Sequence, residues 1–224
     1  MNSQILLIDP AMHTPELCCH QLIASISSLP IKLFMPQFES FEILKSQSSS
    51  FAGIIILGSA ASPVINPPSW QTSLMQWLYQ SQQRNTPLLG ICYGFQLIAH
   101  ITGGKVQLLW DGEKKRGVRM VDATECALWS FKNSVPLIVS HREGVTDLTQ
   151  DWSCLSRSSD HFIELAYHQG FPWWGIQAHI EATQGFLRRN QIDMCLPNPY
   201  AGHVILQSFI DQCTQTVHIE NDRI

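Results

Sequence analysis

A single cysteine lies between two glycines at a sharp turn of the sequence, in the segment Gly90-Ile91-Cys92-Tyr93-Gly94. The apolar residues before this segment predict a buried strand, and those after it predict a helix. Glycines on both sides allow the tight strand-to-helix turn that exposes a nucleophile. The helix N-terminus favours the thiolate, and the amide N–H of Tyr93 is placed to stabilise an oxyanion. Cys92 is therefore a candidate nucleophile.

A buried structural role is the alternative for Cys92, because a free cysteine usually behaves as a small hydrophobic residue. The other six cysteines lack the glycine spacing, and we interpret them as structural thiols. An odd count of seven without a C-x-x-C pair predicts reduced thiols and a cytoplasmic protein. The six are Cys18, Cys19, Cys126, Cys154, Cys195 and Cys213.

A histidine and a glutamate two residues apart could support a cysteine nucleophile. A thiolate mechanism needs a base that moves a proton and a third group that orients the base. In the segment WWGIQAHIEA (173–182), His179 and Glu181 follow an apolar strand and project to the same side at period-two spacing. A solvated polar pair at the end of a strand is the alternative interpretation.

Strands and helices alternate through the first half of the chain, which is typical of a doubly wound α/β fold. We predict a mostly parallel central sheet flanked by helices, flavodoxin-like, with Cys92 at the carboxyl end of a strand, where sites form in such folds. The predicted strands are 5–9, 31–35, 53–57 and 87–91, and the predicted helices are 14–28, a helix through Trp70, Leu74, Trp77 and Leu78, and 95–102.

The second half of the chain has strand-like segments with few helices between them. This pattern predicts a mixed or antiparallel extension of the sheet. We expect one domain over residues 1–213 and a C-terminal tail over 214–224. The predicted strands are 105–109, 117–121, 136–140, 162–168 and 174–178, and the predicted helices are 183–195 and 199–213.

The composition excludes several classes of function. Charged residues make up 14% of the 224 residues and the net charge is −4, so a nucleic-acid-binding protein is not expected. No apolar stretch approaches the roughly 20 residues of a membrane span, and the N-terminal apolar run is too short for a signal peptide. No group of residues has metal-ligand spacing, so we expect neither a metal nor a cofactor.

Four segments together resemble the class I (triad) glutamine amidotransferases. The G-x-C-x-G-x-Q elbow of that family is matched by residues 90–96, and its late G-x-Q-x-H-P-E strand by residues 175–181. GIIILGSAASPV (53–64) resembles the glycine-rich oxyanion loop. VSHREGVTDL (139–148) resembles a segment with Ser-His and an acidic residue in the glutaminase domain of GMP synthases. The resemblance covers residues 4 to 212.

The resemblance implies hydrolysis of the glutamine side-chain amide through a cysteine thioester, with no cofactor. The ammonia would pass to an acceptor, here a synthetase subunit on a separate protein. The substrate would be L-glutamine or another γ-glutamyl compound. The implied roles are Cys92 as nucleophile, His179 as general base and acid, Glu181 as its orienter, Tyr93, Gly58 and Ser59 as the oxyanion hole, and Gln96 and His141 as substrate-binding residues.

Two residues depart from the family pattern. Ser59 replaces the second glycine of the oxyanion loop, and Ile180 replaces the proline between the histidine and the glutamate. Two alternatives to a glutaminase remain, and the departures support the second of them. One is a γ-glutamyl peptidase on the same scaffold. The other is a non-catalytic binding protein in which Cys92 is a redox or structural thiol.

Overall fold

The computed structural model describes residues 4–47, 51–82, 85–197 and 200–221, and eleven strands are found in these ranges. The strands are β1 (Gln4–Ile8), β2 (Ile31–Phe34), β3 (Phe51–Ile56), β4 (Leu88–Ile91), β5 (Lys105–Leu108), β6 (Lys115–Val121), β7 (Val135–His141), β8 (Glu143–Asp147), β9 (Trp152–Arg157), β10 (Ile163–His168) and β11 (Trp173–Ile176).

Six α-helices and one 3-10 turn connect these strands within the same ranges. No helix in the described part of the chain is both long and apolar enough to cross a bilayer. The helices are α1 (Leu17–Ile26), α2 (Glu42–Gln47), α3 (Ser69–Gln82), α4 (Tyr93–Ile101), α5 (Gln184–Arg189) and α6 (Ala201–Asn221), and the 3-10 turn is Trp110–Gly112.

A seven-stranded sheet forms the centre of the fold, in the order β2-β1-β3-β4-β11-β10-β9. The pairs from β2 to β11 are parallel, whereas β10 is antiparallel to both β11 and β9. Two antiparallel ribbons, β5–β8 and β6–β7, lie outside this sheet. The predicted fold class is therefore confirmed, including the antiparallel extension in the second half.

Both faces of the central sheet are covered, as β1 shows. Ile5 and Leu7 belong to one apolar cluster together with residues of α1, α5 and α6, while Leu6 and Ile8 belong to a second cluster with residues of α3 and α4. All four side chains are fully buried. A strand buried on both faces has a continuous apolar run as its sequence, which is why the parallel strands were predictable.

Several element boundaries differ from the predicted ones. Helix α1 begins at Leu17 rather than near Thr14, because the Asp9 carboxylate accepts the amide N–H groups of Ala11 and Glu16 and prolongs the preceding turn. The helix predicted over 183–195 ends at Arg189, and α6 continues to Asn221, beyond the predicted end at 213. The predicted start of that helix, at 199, lies outside the described residues.

Four elements were not predicted from the sequence: α2, β8, β9 and the 3-10 turn Trp110–Gly112. Strand β9 is buried only at Trp152 and Ser156 and carries serine, cysteine and arginine at other positions, so it lacks an apolar run. Strand β8 pairs with β5 outside the main sheet and contains a glycine. Short half-exposed strands of this kind are specified by their partners more than by their own sequence.

Candidate active site

Cys92 lies at the tip of β4 and directly precedes α4, as predicted. Its φ of 52° and ψ of −104° are sparsely populated for a residue with a side chain, and such strain is typical of functional sites. A Cβ on Gly90 would lie 2.6 Å from the Gly94 carbonyl oxygen, and one on Gly94 would overlap the Ile56 carbonyl oxygen. Both glycines are therefore required by close backbone approach at the elbow.

The strand that carries the candidate base lies next to the elbow strand. β11 pairs in parallel with β4, with Gly175 opposite Gly90, and the Cys92 amide N–H donates to the Ile176 carbonyl at 2.8 Å. The carboxyl ends of the two strands are therefore at the same edge of the sheet. The chain leaves β11 after Ile176 and enters a turn that brings His179 to this edge.

The backbone of His179 is held on two sides. Its amide N–H donates to the Ile138 carbonyl at 2.7 Å, and its carbonyl accepts from the Tyr200 hydroxyl at 2.9 Å. The same hydroxyl accepts the Ile138 amide N–H at 2.9 Å. The Phe186 ring packs on the imidazole, with ring centroids 4.5 Å apart. These contacts fix the imidazole position.

His179 and Glu181 form a buried ion pair, with Nδ1 2.8 Å from Oε1. Burial alone would lower the pKa of His179, but the Glu181 carboxylate and the Cys92 thiol outweigh this effect and raise the pKa to about 10. The pair was predicted from strand spacing, and the side chains meet across a turn instead. The turn includes a hydrogen bond from the Ile180 amide to the Ala178 carbonyl at 3.2 Å, which a proline could not donate.

Gly58 brings the loop after β3 against Cys92 and His179. A Cβ on Gly58 would lie 2.7 Å from His179 Cε1 and 3.6 Å from Cys92 Cβ, so this residue borders both side chains. The Cys92 thiol also accepts a hydrogen bond from the Gln177 amide at 3.4 Å. His179 Nε2 is buried without a hydrogen-bond partner among the described residues, so this nitrogen is free to exchange a proton at the site.

Ser59 has a structural role in the loop after β3, which resembles the oxyanion loop of the family. Its φ lies outside the left-handed region, so replacing the second glycine by serine creates no backbone strain. Its hydroxyl donates to the Pro10 carbonyl at 2.6 Å and accepts the Ala61 amide at 3.1 Å. The amide of Tyr93, the first residue of α4, has no acceptor inside its helix and can donate to an oxyanion.

A cavity of about 230 Å³ opens beside Cys92, and we call it the nucleophile cavity. Gln96 and His141, the predicted substrate-binding residues, both line it. The Gln96 amide donates to the Glu143 carbonyl at 2.8 Å and to Gln177 Oε1 at 3.2 Å. Burial lowers the pKa of His141 to about 3, so this imidazole is neutral, and its Nδ1 lies 2.9 Å from the Glu143 carbonyl.

Glu143 is a site residue that the sequence analysis did not single out. It lines the nucleophile cavity, is 4% exposed, and both carboxylate oxygens lack a hydrogen-bond partner among the described residues. Arg142 Nε lies 3.8 Å from Oε1. A buried carboxylate with free oxygens suits an ammonium group. The signal in the sequence is the acidic residue that follows Ser-His in the segment VSHREGVTDL (139–148).

One group of potential metal ligands occurs in the described residues, although no ligand spacing was expected. Glu16, Cys18 and Cys19 bring one ligand atom each within 4.8 Å of one another. Cys19 is fully buried, and this burial raises the pKa of its thiol, which opposes the thiolate form that a metal needs. We therefore assign no metal to this group.

The fold and the elbow define a known class of protein. The sequence profile of the family described as glutamine amidotransferase class-I matches residues 11–196, which is most of the chain. The chain therefore belongs to this family, and the resemblance noted from its motifs is confirmed.

GMP synthases are among the curated relatives of the chain. The enzyme of Dictyostelium discoideum is 28% identical over 152 residues, which cover 64% of this chain and 20% of the relative. The enzyme of Mesoplasma florum is 25% identical over 199 residues, which cover 86% of this chain and 36% of the relative. The chain thus spans about a fifth to a third of the length of these relatives.

Solved structures show the same fold. A candidate GMP synthase subunit from Thermoplasma acidophilum has a TM-score of 0.75 and 17% identity, covering 99% of this chain and 98% of that one. A glutamine amidotransferase from Thermotoga maritima has a TM-score of 0.71 and 16% identity, covering 96% and 98%. At these identities the likeness supports the flavodoxin-like fold alone.

Proposed function

We propose that this protein hydrolyses the side-chain amide of L-glutamine through a γ-glutamyl thioester on Cys92. The observation that carries the proposal is the buried, hydrogen-bonded His179–Glu181 pair beside a strained cysteine elbow. The Cys92 thiolate attacks the amide carbon, and the oxyanion accepts from the Tyr93 amide and the Gly58–Ser59 loop. Donors aimed at the developing charge are usually the largest contribution to such catalysis.

Proton transfer through His179 completes the reaction. The amide C–N bond breaks, its electron pair stays on nitrogen, and His179 donates the proton with which ammonia departs. Water then attacks the thioester carbon while His179 accepts its proton, and glutamate and the Cys92 thiolate are released. The Glu181 carboxylate holds the imidazole in one orientation and stabilises its charged form.

Glu143 is proposed to bind the α-ammonium group of glutamine in the nucleophile cavity. Glu143→Gln keeps the size of the side chain and removes its charge. We expect KM for glutamine to rise by about tenfold or more, because a buried charge-assisted hydrogen bond is lost, while kcat changes by less than about threefold. Steady-state kinetics would show a raised KM with a nearly unchanged kcat. A fall in kcat as large as the rise in KM would contradict a binding role.

The charged state of His179 leads to a prediction for the dependence of kcat on pH. The Glu181 carboxylate raises the pKa of His179, so the imidazolium is retained until the pH rises through about 10. In Glu181→Gln this carboxylate is absent, and we expect the alkaline limb of the kcat profile to move to lower pH. Rates measured across the alkaline range would show the shift. An unchanged limb would mean that His179 does not control it.

An acceptor for the ammonia is proposed to be a separate synthetase chain. In neutral water ammonia is mostly protonated and no longer nucleophilic, so direct transfer to a second site is advantageous. Support comes from the GMP synthase relatives and from the structural neighbour whose description names it a synthase subunit. All seven cysteines are described and unpaired, which fits a reducing compartment such as the cytoplasm.

Covalent labelling tests the proposal most directly. A diazoketone analogue of glutamine binds as the substrate does and alkylates the nucleophile, and peptide mass spectrometry locates the adduct. We expect the label on Cys92, although this residue is buried while Cys154 and Cys195 are exposed. Glutamate release from L-glutamine is measured in parallel. Labelling of the exposed thiols alone, without glutamate release, would contradict the proposal.

A further inference from the structure

A second cavity, of about 270 Å³, adjoins the catalytic pair, and we call it the histidine cavity. His179 and Glu181 line this cavity, whereas Cys92 lines the nucleophile cavity. The walls of the two cavities have residues in common, so a substrate can extend from one to the other past the reacting atoms. The shared residues are Ser59, Ala60, Lys114 and Ser140.

The histidine cavity lies where a leaving group departs. In the cleavage of a γ-glutamyl amide, His179 protonates the leaving nitrogen, so that nitrogen is on the imidazole side when the glutamyl part occupies the nucleophile cavity. Ammonia is close in size to water, whose share of liquid volume is about 30 Å³. The histidine cavity is about nine times larger and has room for a larger amine.

The lining of the histidine cavity favours an amine with a second positive charge. Glu16 lines it, and while Oε1 pairs with Arg189 at 3.2 Å, Oε2 is buried without a partner among the described residues. The Glu181 side chain is 3% exposed, and its Oε2 is likewise unpartnered. The Asp9 carboxylate, in contrast, is satisfied by His20 at 2.7 Å and by two backbone amides.

Positive charges are also present at the histidine cavity, on the Lys114 ammonium and on the His179 imidazolium that Glu181 holds, and the His13 imidazole lines the cavity as well. Lys114 lines both the histidine cavity and the nucleophile cavity. Its ammonium group lies 3.5 Å from the Asn190 side-chain oxygen. The carboxylate oxygens without partners therefore belong to Glu16 and Glu181. Of these two residues, Glu181 is engaged with His179, which leaves Glu16 to receive a ligand cation.

We propose that the histidine cavity is a leaving-group subsite and that the protein also hydrolyses γ-glutamyl amides of diamines, with Glu16 binding the distal ammonium group. This inference rests on the proposed thioester chemistry. Cys92 forms the C–S bond, the C–N bond breaks, and the leaving nitrogen takes its electron pair and a proton from His179. Water then cleaves the thioester, so one amide and one water give glutamate and the free diamine.

A substrate series tests the subsite with the full chain. L-glutamine has the smallest leaving group, ammonia, and γ-glutamylmethylamide has a small one without a second charge. The leaving group of γ-glutamylputrescine carries a distal ammonium, and that of γ-glutamylglycine carries a carboxylate. We expect kcat/KM for γ-glutamylputrescine to exceed that for γ-glutamylmethylamide and γ-glutamylglycine by about tenfold or more, because a charge-assisted contact is added. Equal values, or preference for the anionic compound, would overturn the inference.

Glu16→Gln identifies the residue that recognises the charge. The glutamine side chain retains an oxygen for Arg189 and removes the carboxylate. We expect the ratio of kcat/KM between γ-glutamylputrescine and γ-glutamylmethylamide to fall about tenfold. Glu113→Gln is the matched control, because this exposed glutamate pairs with Lys115 outside both cavities. An unchanged ratio in Glu16→Gln would contradict the assignment of Glu16.

Binding to Cys92→Ser separates this inference from the proposed glutaminase activity. Calorimetry with this variant compares the intact putrescine and methylamide compounds without turnover. Tighter binding of γ-glutamylputrescine supports the subsite even if no γ-glutamyl compound is hydrolysed by the native protein. Glutamine hydrolysis without any preference for γ-glutamylputrescine, in rate or in binding, would leave the glutaminase proposal standing and reject the subsite.

Discussion

Cys92→Ser is expected to lower glutamine hydrolysis by about 10³-fold or more without unfolding the protein. A serine hydroxyl is a far weaker nucleophile than a thiolate, and His179 is positioned to pair with a thiolate rather than to deprotonate an alcohol. Serine has nearly the size of cysteine and keeps an acceptor for the Gln177 amide, which donates to Cys92 Sγ in the native protein. The thermal midpoint should therefore stay within about 4 °C.

Glutamate release and a thermal unfolding curve, measured on the same preparation, check this expectation. Cys195→Ser is the matched control, because Cys195 is exposed and lies outside the two cavities. It should retain native activity and stability. Residual activity of Cys92→Ser close to that of the native protein would mean that glutamate is formed by another group. Loss of the cooperative transition would instead assign a structural role to Cys92.

The parts of the site that lie on one short segment were predictable from the sequence. The elbow is predictable from the glycine spacing, because the close backbone approach of Gly90 to Gly94 leaves no room for a side chain. Every tight strand-to-helix turn of this kind has the same requirement. The alternation of apolar runs predicted the parallel half of the sheet for a similar reason. Both inferences use local geometry only.

The parts of the site that depend on neighbours in space were less predictable. The adjacency of β11 and β4 brings His179 to the tip of the elbow, and it follows from the strand order of the whole sheet. The same holds for Glu143, which lines the nucleophile cavity and lies on β8, a strand that pairs with β5 outside the central sheet. The local sequence around a residue does not show which other strand will lie next to that residue in the folded protein.

The two departures from the family pattern show how a substitution is accommodated by its surroundings. Serine at position 59 causes no backbone strain, because the loop avoids the left-handed region, and its hydroxyl donates a hydrogen bond to the Pro10 carbonyl. Isoleucine at position 180 removes the rigid proline, yet the carboxylate of Glu181 still meets His179 at 2.8 Å. Ile180 is fully buried, so packing replaces the constraint of the proline ring.

Gly58→Ala is expected to lower kcat by about 10²-fold in a protein that remains folded. The added Cβ would lie 2.7 Å from His179 Cε1, and the imidazole is held on its other sides by Glu181 and Phe186. Relief of the overlap therefore requires the loop or the imidazole to shift, and a displacement of a catalytic group by about 1 Å has an effect of this size. Overpacking should lower stability by about 1–3 kcal/mol.

Gly170→Ala is the matched control for this variant. A Cβ at Gly170 would meet His168 at 3.4 Å, an ordinary contact remote from both cavities, so activity should be retained. Kinetics and thermal unfolding of the two variants are compared side by side. If Gly58→Ala kept the native kcat, the loop after β3 would be free to move away from His179, and its Gly58–Ser59 amides would not form a fixed oxyanion hole. A loss confined to Gly58→Ala would instead show that the contact between this loop and the imidazole is part of the catalytic geometry.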